Sequence, residues 1–229
     1  MGNICIIPAR GGSKRITNKN IKLFLGIPII SYAIKAAIDS KLFDEVMVST
    51  DTAEIAEISI HYGAKVPFLR TEKNADDFAT TYDVIEEVLH KYAVNGTHFN
   101  AVCCIYPCAP FVNSNILTRA YHKLIDHHFD IVFPVIKYSF PIQRALKIVE
   151  NKAVFFDDKF KTTRSQDLEP SFHDAGQFYW AVSIPLLESK SLLTNNTGVV
   201  EISELDGQDI DTLTDWKLAE LKYSLIERR

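Results

Sequence analysis

The strongest constraint on the fold is an alternation of short apolar runs with amphipathic segments. Residues 4–8 form an apolar run of strand length, and residues 28–43 repeat apolar side chains at helical spacing on one stripe. The alternation continues with predicted strands at 45–50, 66–69 and 101–106, and predicted helices at 53–62, 81–92 and 114–127. Strands alternating with helices predict an α/β fold with a mainly parallel sheet and helices on both faces.

The alternation is interrupted between residues 130 and 176. Short strands are predicted at 131–136, 143–149 and 153–156, followed by a polar, loop-like stretch at 159–177. Strands at 178–183 and 199–202 and a helix at 214–226 return to the earlier pattern. We predict one domain over residues 1–229, with an inserted β-rich segment at about 131–177.

Composition excludes several classes of protein. The 229 residues are 47% hydrophobic and 24% charged, as in globular domains. The net charge of −4 argues against nucleic-acid binding. The apolar run at 4–7 is too short for a signal-peptide core or a membrane span. The four cysteines form no CxxC pair, so we expect buried thiols in a cytoplasmic protein without membrane association.

The loop after the first predicted strand, residues 8–20, predicts a phosphate site. Its two glycines allow a ligand to approach the backbone. Cationic side chains are concentrated in and just after this loop, at Arg10, Lys14, Arg15, Lys19 and Lys22. A polyphosphate fits such a cluster through charge-assisted hydrogen bonds. The alternative is a solvated basic turn, and the loop matches neither the P-loop nor the GxGxxG motif.

Asp209 and Asp211 predict a divalent-metal site. Residues two apart in an extended segment point to the same side. Two carboxylates, with water and phosphate oxygens, suit Mg²⁺. The alternative is a solvated acidic turn at the start of the last helix.

Residues 162–180 interleave charged and amide side chains with Phe, Tyr and Trp. This composition fits a polar ring-shaped ligand, whose hydroxyls meet polar groups and whose apolar face meets aromatic rings. An oligomer interface uses the same residue types, and the two interpretations are compatible.

Several motifs, in order along nearly the whole chain, resemble one family. IPARGGSKRITNKN at 7–20 is similar to the opening motif of the cytidylyltransferases that activate nine-carbon 2-keto acid sugars, the CMP-sialic acid synthetase family. The segments at 49–51 (STD), 70–83 (RTEKNADDFATTYD) and 209–216 (DID…DW) resemble later motifs, with Thr71 where the family usually has Pro. The YPCAP sequence at 106–110 and PIQRAL at 141–146 resemble the pseudaminic acid branch.

The resemblance implies a Rossmann-like α/β/α sandwich and a reaction of CTP with a nonulosonic acid, giving a CMP-sugar and pyrophosphate. Pseudaminic acid is the expected sugar, for glycosylation of surface glycans or flagellin. The alternatives are N-acetylneuraminic or legionaminic acid, or a nucleotide-binding module without catalysis. The resemblance also implies Mg²⁺ or Mn²⁺ on Asp209 and Asp211, and a homodimer whose arms reach over each other's sites.

Site residues follow from the same resemblance. The catalytic residues are expected to be Arg10, Lys19 and Asp211. The nucleotide-binding residues are expected to be Ala9, Arg10, Gly11, Ser13, Lys19, Asn20, Arg70, Ala79 and Thr81. The sugar-binding residues are expected to be Tyr106, Gln143, Arg144, Arg164, Glu169, His173, Asp174, Gln177 and Tyr179, with Arg144, Arg164 and Gln177 as candidates to act across the dimer.

Overall fold

The computed structural model describes residues 2–76 and 78–226. Over these ranges the strands are β1 (Gly2–Pro8), β2 (Leu23–Phe24), β3 (Ile27–Pro28), β4 (Glu45–Ser49), β5 (Phe99–Ile105), β6 (Ile131–Lys137), β7 (Leu146–Val149), β8 (Lys152–Phe155), β9 (Phe172–Asp174), β10 (Phe178–Val182) and β11 (Thr197–Ile202). The helices are α1 (Ile30–Ser40), α2 (Ala53–His61), α3 (Glu72–Ala75), α4 (Thr81–Val94), α5 (Ser114–Asp126), α6 (Ser183–Ser189) and α7 (Leu213–Ile226).

The main sheet has the strand order β11-β6-β10-β5-β1-β4, and β9 also pairs with β6. β1 runs parallel to β4 and β5, and β6 runs parallel to β11. β10 lies between these two groups and is antiparallel to both β5 and β6. The carboxyl ends of β1, β4, β5, β6 and β11 therefore meet at one edge of the sheet, where α/β proteins bind their ligands.

Both faces of the sheet are covered by helices, as the sequence predicted. Successive residues of a strand point to opposite faces. Cys5 and Ile7 of β1 accordingly join the core beneath α1 and α5, whereas Ile4 and Ile6 join the core beneath α4 and α6. A third cluster, which includes Phe24 and Trp216, packs α7 against the β2–β3 hairpin.

Two helix ends near the functional edge follow from local chemistry. The Thr80 hydroxyl and the Asp83 carboxylate form a reciprocal capping box that fixes the start of α4. Gly63 has a φ of +97° just beyond the end of α2. This left-handed conformation favours glycine and agrees with its predicted role in ending the helix.

Three predictions about the elements were wrong. Residues 66–69 form no strand; only Lys65 makes an isolated bridge, to Met47, and the following Pro67 has no N–H for a ladder. Ile131–Lys137 belongs to the main sheet, so the part of the chain outside that sheet begins after Lys137 rather than at 131. The strand predicted at 143–149 is shorter, because Ile142–Arg144 forms a 3-10 turn before β7.

The segment between β6 and β9 holds the β7–β8 hairpin, which forms a sheet of its own. Its polar continuation, predicted as a loop, contains short 3-10 turns and then β9. Within the described residues, no helix is both long and apolar enough to cross a membrane.

Candidate active site

A cleft of about 520 Å³ opens at the carboxyl edge of the sheet. It lies between the loop after β1, the loop after β5, the bend before β10 and the segment before α7. These four segments are distant in sequence and meet because of the strand order. The residues that line the cleft are Pro8, Arg10, Ser13, Lys14, Arg15, Lys19, Asn20, Tyr106, Pro107, Cys108, Gly176, Asp209, Ile210 and Asp211.

The loop after β1 is held in place by hydrogen bonds to its own backbone. The Gly11 amide donates to Oδ1 of Asp51 at 2.8 Å, and the buried Asn20 donates from Nδ2 to the carbonyl oxygen of Arg10 at 2.8 Å. A Cβ at Gly11 would lie 2.4 Å from Cγ2 of Thr52, so a larger residue would force the Thr52 side chain to move. The loop therefore has a defined shape, and its cations project from a braced backbone.

Two cationic side chains converge at Asp211. Nη1 of Arg15 lies 2.7 Å from Oδ2 of Asp211, and Nζ of Lys19 lies 3.6 Å from Oδ1. Lys19 also donates to the carbonyl oxygen of Ile210 at 2.7 Å. The predicted phosphate loop and the predicted metal segment, 191 residues apart at this contact, are thus one site.

Asp209 lies beside this cluster, near the bend before β10. A Cβ placed on Gly176, whose φ is +63°, would lie 3.7 Å from Cγ of Asp209. Burial raises the pKa of Asp209, and the neighbouring charge of Asp211 adds to the shift, although Lys19 opposes it. No hydrogen bond to the Asp209 carboxylate is formed within residues 2–76 and 78–226. A cation would relieve the repulsion between these carboxylates, so the donor set fits a divalent ion.

Within residues 2–76 and 78–226, the two aspartates are not part of a larger group of metal-binding side chains. Across the described residues, no group of three or more His, Cys, Asp or Glu side chains could hold a metal ion. This result is compatible with Mg²⁺, which commonly takes only one or two protein carboxylates.

The loop between Arg70 and Thr81 borders the cleft without lining it. The buried Arg70 guanidinium donates to Oγ of Ser49 at 3.1 Å and to the Ser49 carbonyl at 2.5 Å. Burial lowers the pKa of Arg70. The Ala79 amide donates to Oδ1 of Asp76, and the Asp76 carbonyl accepts a 2.8 Å hydrogen bond from Arg10. This loop and the phosphate loop are therefore connected through Arg10.

Tyr106 connects the same loop with the bend before β10. Its hydroxyl lies 3.1 Å from Oγ1 of Thr81, and its ring meets the ring of Tyr179 edge-on at 5.7 Å. Tyr179 donates to the Asp174 carboxylate, and burial raises the pKa of both tyrosines. Gln177 is buried in its own chain: its backbone carbonyl accepts from the Tyr106 amide, and its side-chain amide donates to the Asp206 carbonyl at 2.7 Å. The side chains of Tyr106, Tyr179 and Asp174 form a polar–aromatic wall beside it.

The remaining predicted sugar-binding residues are separated from the cleft. Gln143 donates to the carbonyl of Glu169 at 2.9 Å, and Arg144 contacts Ser165 at 3.4 Å. These residues and Arg164 belong to the segment between β6 and β9 and do not line the cleft within this chain. His173, with Asp174 and Tyr179, instead lines a neighbouring groove of about 910 Å³.

Sequence reasoning missed several contributors to the site. Asp51 braces the phosphate loop, and Pro107, Cys108 and Gly176 line the cleft. Cys108 was expected to be only a buried thiol, but it donates a hydrogen bond to Oδ1 of Asn20 at 3.3 Å. Asp51 lies two residues after β4 at the same edge of the sheet, in the STD segment at 49–51 that the resemblance had singled out without a role.

Comparison with known proteins agrees with this geometry. The family described as Cytidylyltransferase matches residues 4–205. A pseudaminic acid cytidylyltransferase of Campylobacter jejuni is 42% identical over 98% of this chain and 97% of its own length. A CMP-N,N'-diacetyllegionaminic acid synthase of Legionella pneumophila is 31% identical over 95% of this chain and 94% of its own length.

Solved structures support the fold. A CMP:2-keto-3-deoxy-manno-octonic acid synthetase complexed with CTP covers all of both chains with a TM-score of 0.71 and 15% identity. A 4-diphosphocytidyl-2C-methyl-D-erythritol synthase from Anaerococcus prevotii covers 97% of this chain and 98% of its own, with a TM-score of 0.62. Together with the match over residues 4–205, the fold and the cleft lead to one assignment: the chain belongs to the cytidylyltransferase family.

Proposed function

We propose that this protein transfers CMP from CTP to a nonulosonic acid, and that the acid is pseudaminic acid. The observation that carries the proposal is the cleft in which Arg10 and Lys19 face Asp209 and Asp211. Identity of 42% over nearly the full length to a pseudaminic acid cytidylyltransferase supports the choice of sugar. A product of this kind would supply glycosylation of surface glycans or flagellin.

The reaction is a displacement at phosphorus. The anomeric hydroxyl oxygen of the sugar bonds to the α-phosphorus of CTP, the bond from that phosphorus to the bridging oxygen breaks, and pyrophosphate leaves. Negative charge builds on the phosphate oxygens as the reaction proceeds. Arg10 and Lys19, held in position before the reaction, stabilise that charge without reorganising. Ala9, Gly11 and Ser13 lie in the same loop. Their amides donate to the Ser49 carbonyl, the Asp51 carboxylate and the Gly11 carbonyl, so these residues would act by shaping the loop around the triphosphate.

The nucleoside is assigned to the loop between Arg70 and Thr81 and to Asn20. Both groups of the Asn20 amide already hold the phosphate loop and Cys108, so Asn20 would position the ribose mainly by fixing that loop. The backbone at Ala79 and the Thr81 hydroxyl are assigned to the cytosine edge. Arg70, held on Ser49, would fix the floor of this subsite.

Asp209 and Asp211 would hold the divalent cation, Mg²⁺ or Mn²⁺, as the donor set above allows. When bound, the cation supplies charge neutralisation on the triphosphate and acidifies the attacking hydroxyl. Lys19 donates to the carbonyl of Ile210, the residue before Asp211, and so helps to fix the backbone that carries Asp211.

The sugar is assigned to the wall formed by the side chains of Tyr106, Tyr179 and Asp174, with the backbone of Gln177 behind it and His173 at its rim. The sugar carboxylate needs a cation, and Arg144 and Arg164 are the candidates. Since neither lines the cleft of its own chain, we propose that a second copy contributes the segment carrying them, together with Gln143 and Glu169.

An exposed apolar face supports this homodimer. The groove of about 910 Å³ carries the exposed side chains of Phe172, Leu193 and Val199, of which Leu193 is 65% exposed, over the more buried Phe133 and Val135. Contiguous apolar surface of this kind commonly marks a protein interface. The groove adjoins Asp174 and Tyr179, so a second copy bound there would lie beside the sugar wall.

The test is pyrophosphate release from CTP and Mg²⁺ with pseudaminic, legionaminic and N-acetylneuraminic acids in parallel. We expect the highest kcat/KM with pseudaminic acid. A higher value with another acid would overturn the choice of sugar, and no release with any of them would overturn the proposed activity. The enzyme is proposed to act in the cytoplasm, where CTP is made.

A further inference from the structure

The ion pairs at Asp211 occupy the position that a metal ion would need. Arg15 and Lys19 each face one oxygen of the Asp211 carboxylate, at 2.7 and 3.6 Å. A divalent cation bound to those oxygens would bring two positive charges against both side chains. The cation and the Arg15 guanidinium therefore compete for Asp211.

Arg15 and Lys19 differ in how firmly they are held. The Lys19 side chain is 22% exposed and donates to the carbonyl of Ile210, so a second contact keeps it in place. The Arg15 side chain is 67% exposed, and Asp211 is its partner in the ion pair. An ion pair this exposed contributes little to folding stability, so Arg15 can leave Asp211 at small cost.

Triphosphate offers Arg15 a better partner. Arg15 lines the same cleft as Arg10 and Lys19, and a guanidinium binds phosphate oxygens with two parallel hydrogen bonds. CTP brings these oxygens into the cleft at the time the cation removes Asp211 from Arg15. The cation thus removes the old partner of Arg15, and CTP supplies a new one.

We propose that Arg15 exchanges partners: it neutralises Asp211 in the empty cleft and moves to the triphosphate when a divalent cation takes Asp211. This inference rests on the proposed function and adds a residue that binds substrate. This exchange makes cation binding and CTP binding synergistic. The cation frees Arg15 from Asp211 for the triphosphate, and CTP draws Arg15 away from the carboxylate that the cation needs. By linkage, the enhancement must be the same in both directions.

The test uses Arg15→Gln and two binding measurements without sugar, so no turnover occurs. Mn²⁺ alone is titrated by the loss of its free electron paramagnetic resonance signal. Removing the competing guanidinium should tighten Mn²⁺ binding about threefold, the scale of an exposed ion pair. CTP is then titrated calorimetrically at saturating Mn²⁺. Loss of a charged hydrogen-bond donor should weaken CTP binding about tenfold or more.

Two variants serve as controls. Lys22 was grouped with the basic cluster in the sequence, but it does not line the cleft, and its amine lies 5.7 Å over the Trp216 ring instead. Lys22→Gln therefore removes the same charge from an exposed side chain near the loop but outside the site. It should change neither affinity by more than about twofold. Arg15→Lys keeps the charge but not the planar guanidinium. Its Mn²⁺ affinity should therefore match that of the unchanged protein, and its CTP affinity should lie between those of the unchanged protein and Arg15→Gln.

Opposite changes in the two affinities of Arg15→Gln support the exchange. Mn²⁺ binding no tighter than in Lys22→Gln, unweakened CTP binding, or no Mn²⁺ binding by the unchanged protein would each overturn it. Any of these results combined with normal turnover of a nonulosonic acid would leave the proposed function intact. Absent turnover with all three acids would refute that function by itself.

Discussion

Glu87 joins helix α4 to the loop assigned to cytosine, and changing it should loosen that loop. Its carboxylate accepts hydrogen bonds from the Thr71 amide at 3.0 Å, the Thr71 hydroxyl at 2.8 Å, Asn74 at 2.6 Å and Lys91 at 2.7 Å. The same loop continues to Asp76, whose carbonyl holds Arg10. Glu87 therefore acts on the cleft through the loop.

The pKa of Glu87 gives the size of the effect. Burial would raise this pKa, but the hydrogen bonds from Lys91, Thr71 and Asn74 lower it from 4.5 to about 2. The side chain is 10% exposed, so solvent screens it little. A lowering of this size corresponds to about 3 kcal/mol of folding stability. Because the pKa is lower in the folded state, the ionised carboxylate stabilises the fold fully above about pH 4.5. This contribution is lost as the pH falls from about 4.5 through about 2.

The perturbation is Glu87→Gln, which keeps the shape and one acceptor oxygen. At pH 7 it should lose this charge-dependent contribution of about 3 kcal/mol, which lowers Tm by about 9 °C. The KM for CTP should rise, because the loop no longer fixes Arg10. Glu57→Gln, on the exposed side of α2, is the matched control and should change neither quantity.

The assay is urea unfolding at several pH values between about 7 and 3, read by circular dichroism. The difference in unfolding free energy between the unchanged protein and Glu87→Gln should shrink by more than half by about pH 3. Equal slopes of stability against pH in both proteins would refute the reasoning, since the titrating group would then lie elsewhere.

Other predictions address the cleft and the assembly. Asp211→Ala should abolish turnover in Mg²⁺ and leave the circular dichroism spectrum unchanged; full activity would remove Asp211 from the metal site. Lys19→Ala should lower kcat far more than it lowers Tm, and the reverse pattern would make the loop structural. CTP should be preferred to UTP by about tenfold to over a hundredfold, the cost of a buried unpaired group, and equal rates would contradict the role of the loop after Arg70. A mixed dimer of Asp211→Ala and Arg164→Ala chains should regain part of the activity if the site is shared, whereas an active monomer in light scattering would refute the dimer.

The position of the cleft could be predicted from the sequence because it depends on one general rule. Parallel strands present their carboxyl ends at the same edge, so the loops after β1 and β5 had to meet there. The predicted basic loop and the predicted carboxylate pair do meet, through Lys19, Ile210 and Asp211. Which side chains pair within the cleft could not be predicted, because these contacts depend on angstrom-scale placement of flexible side chains.

The error at β6 has a different physical origin. The residues of β6 are apolar enough to be buried either in the main sheet or in a separate inserted sheet. Its partners β10 and β11 begin more than forty residues later in the chain. Nothing in the local pattern tells whether such a strand pairs with its neighbours in sequence, β7 and β8, or with distant strands. The same antiparallel β10 lies beside β5, and its register sets Tyr179 opposite Cys104, one residue from Ile105 at the end of that strand.

This placement explains why the sugar wall and the apolar groove adjoin each other. β9 and β10 both pair with β6, and the bend between them, at Gly176 and Gln177, lies at the carboxyl edge. One side of the bend is therefore the cleft with Asp209, and the other continues into the groove with His173. A partner covering the groove would bury the same strand that carries Tyr179. In the proposed homodimer, assembly and sugar binding would thus be coupled by the sheet itself, and a change that weakens the dimer should also weaken sugar binding while leaving CTP binding unchanged.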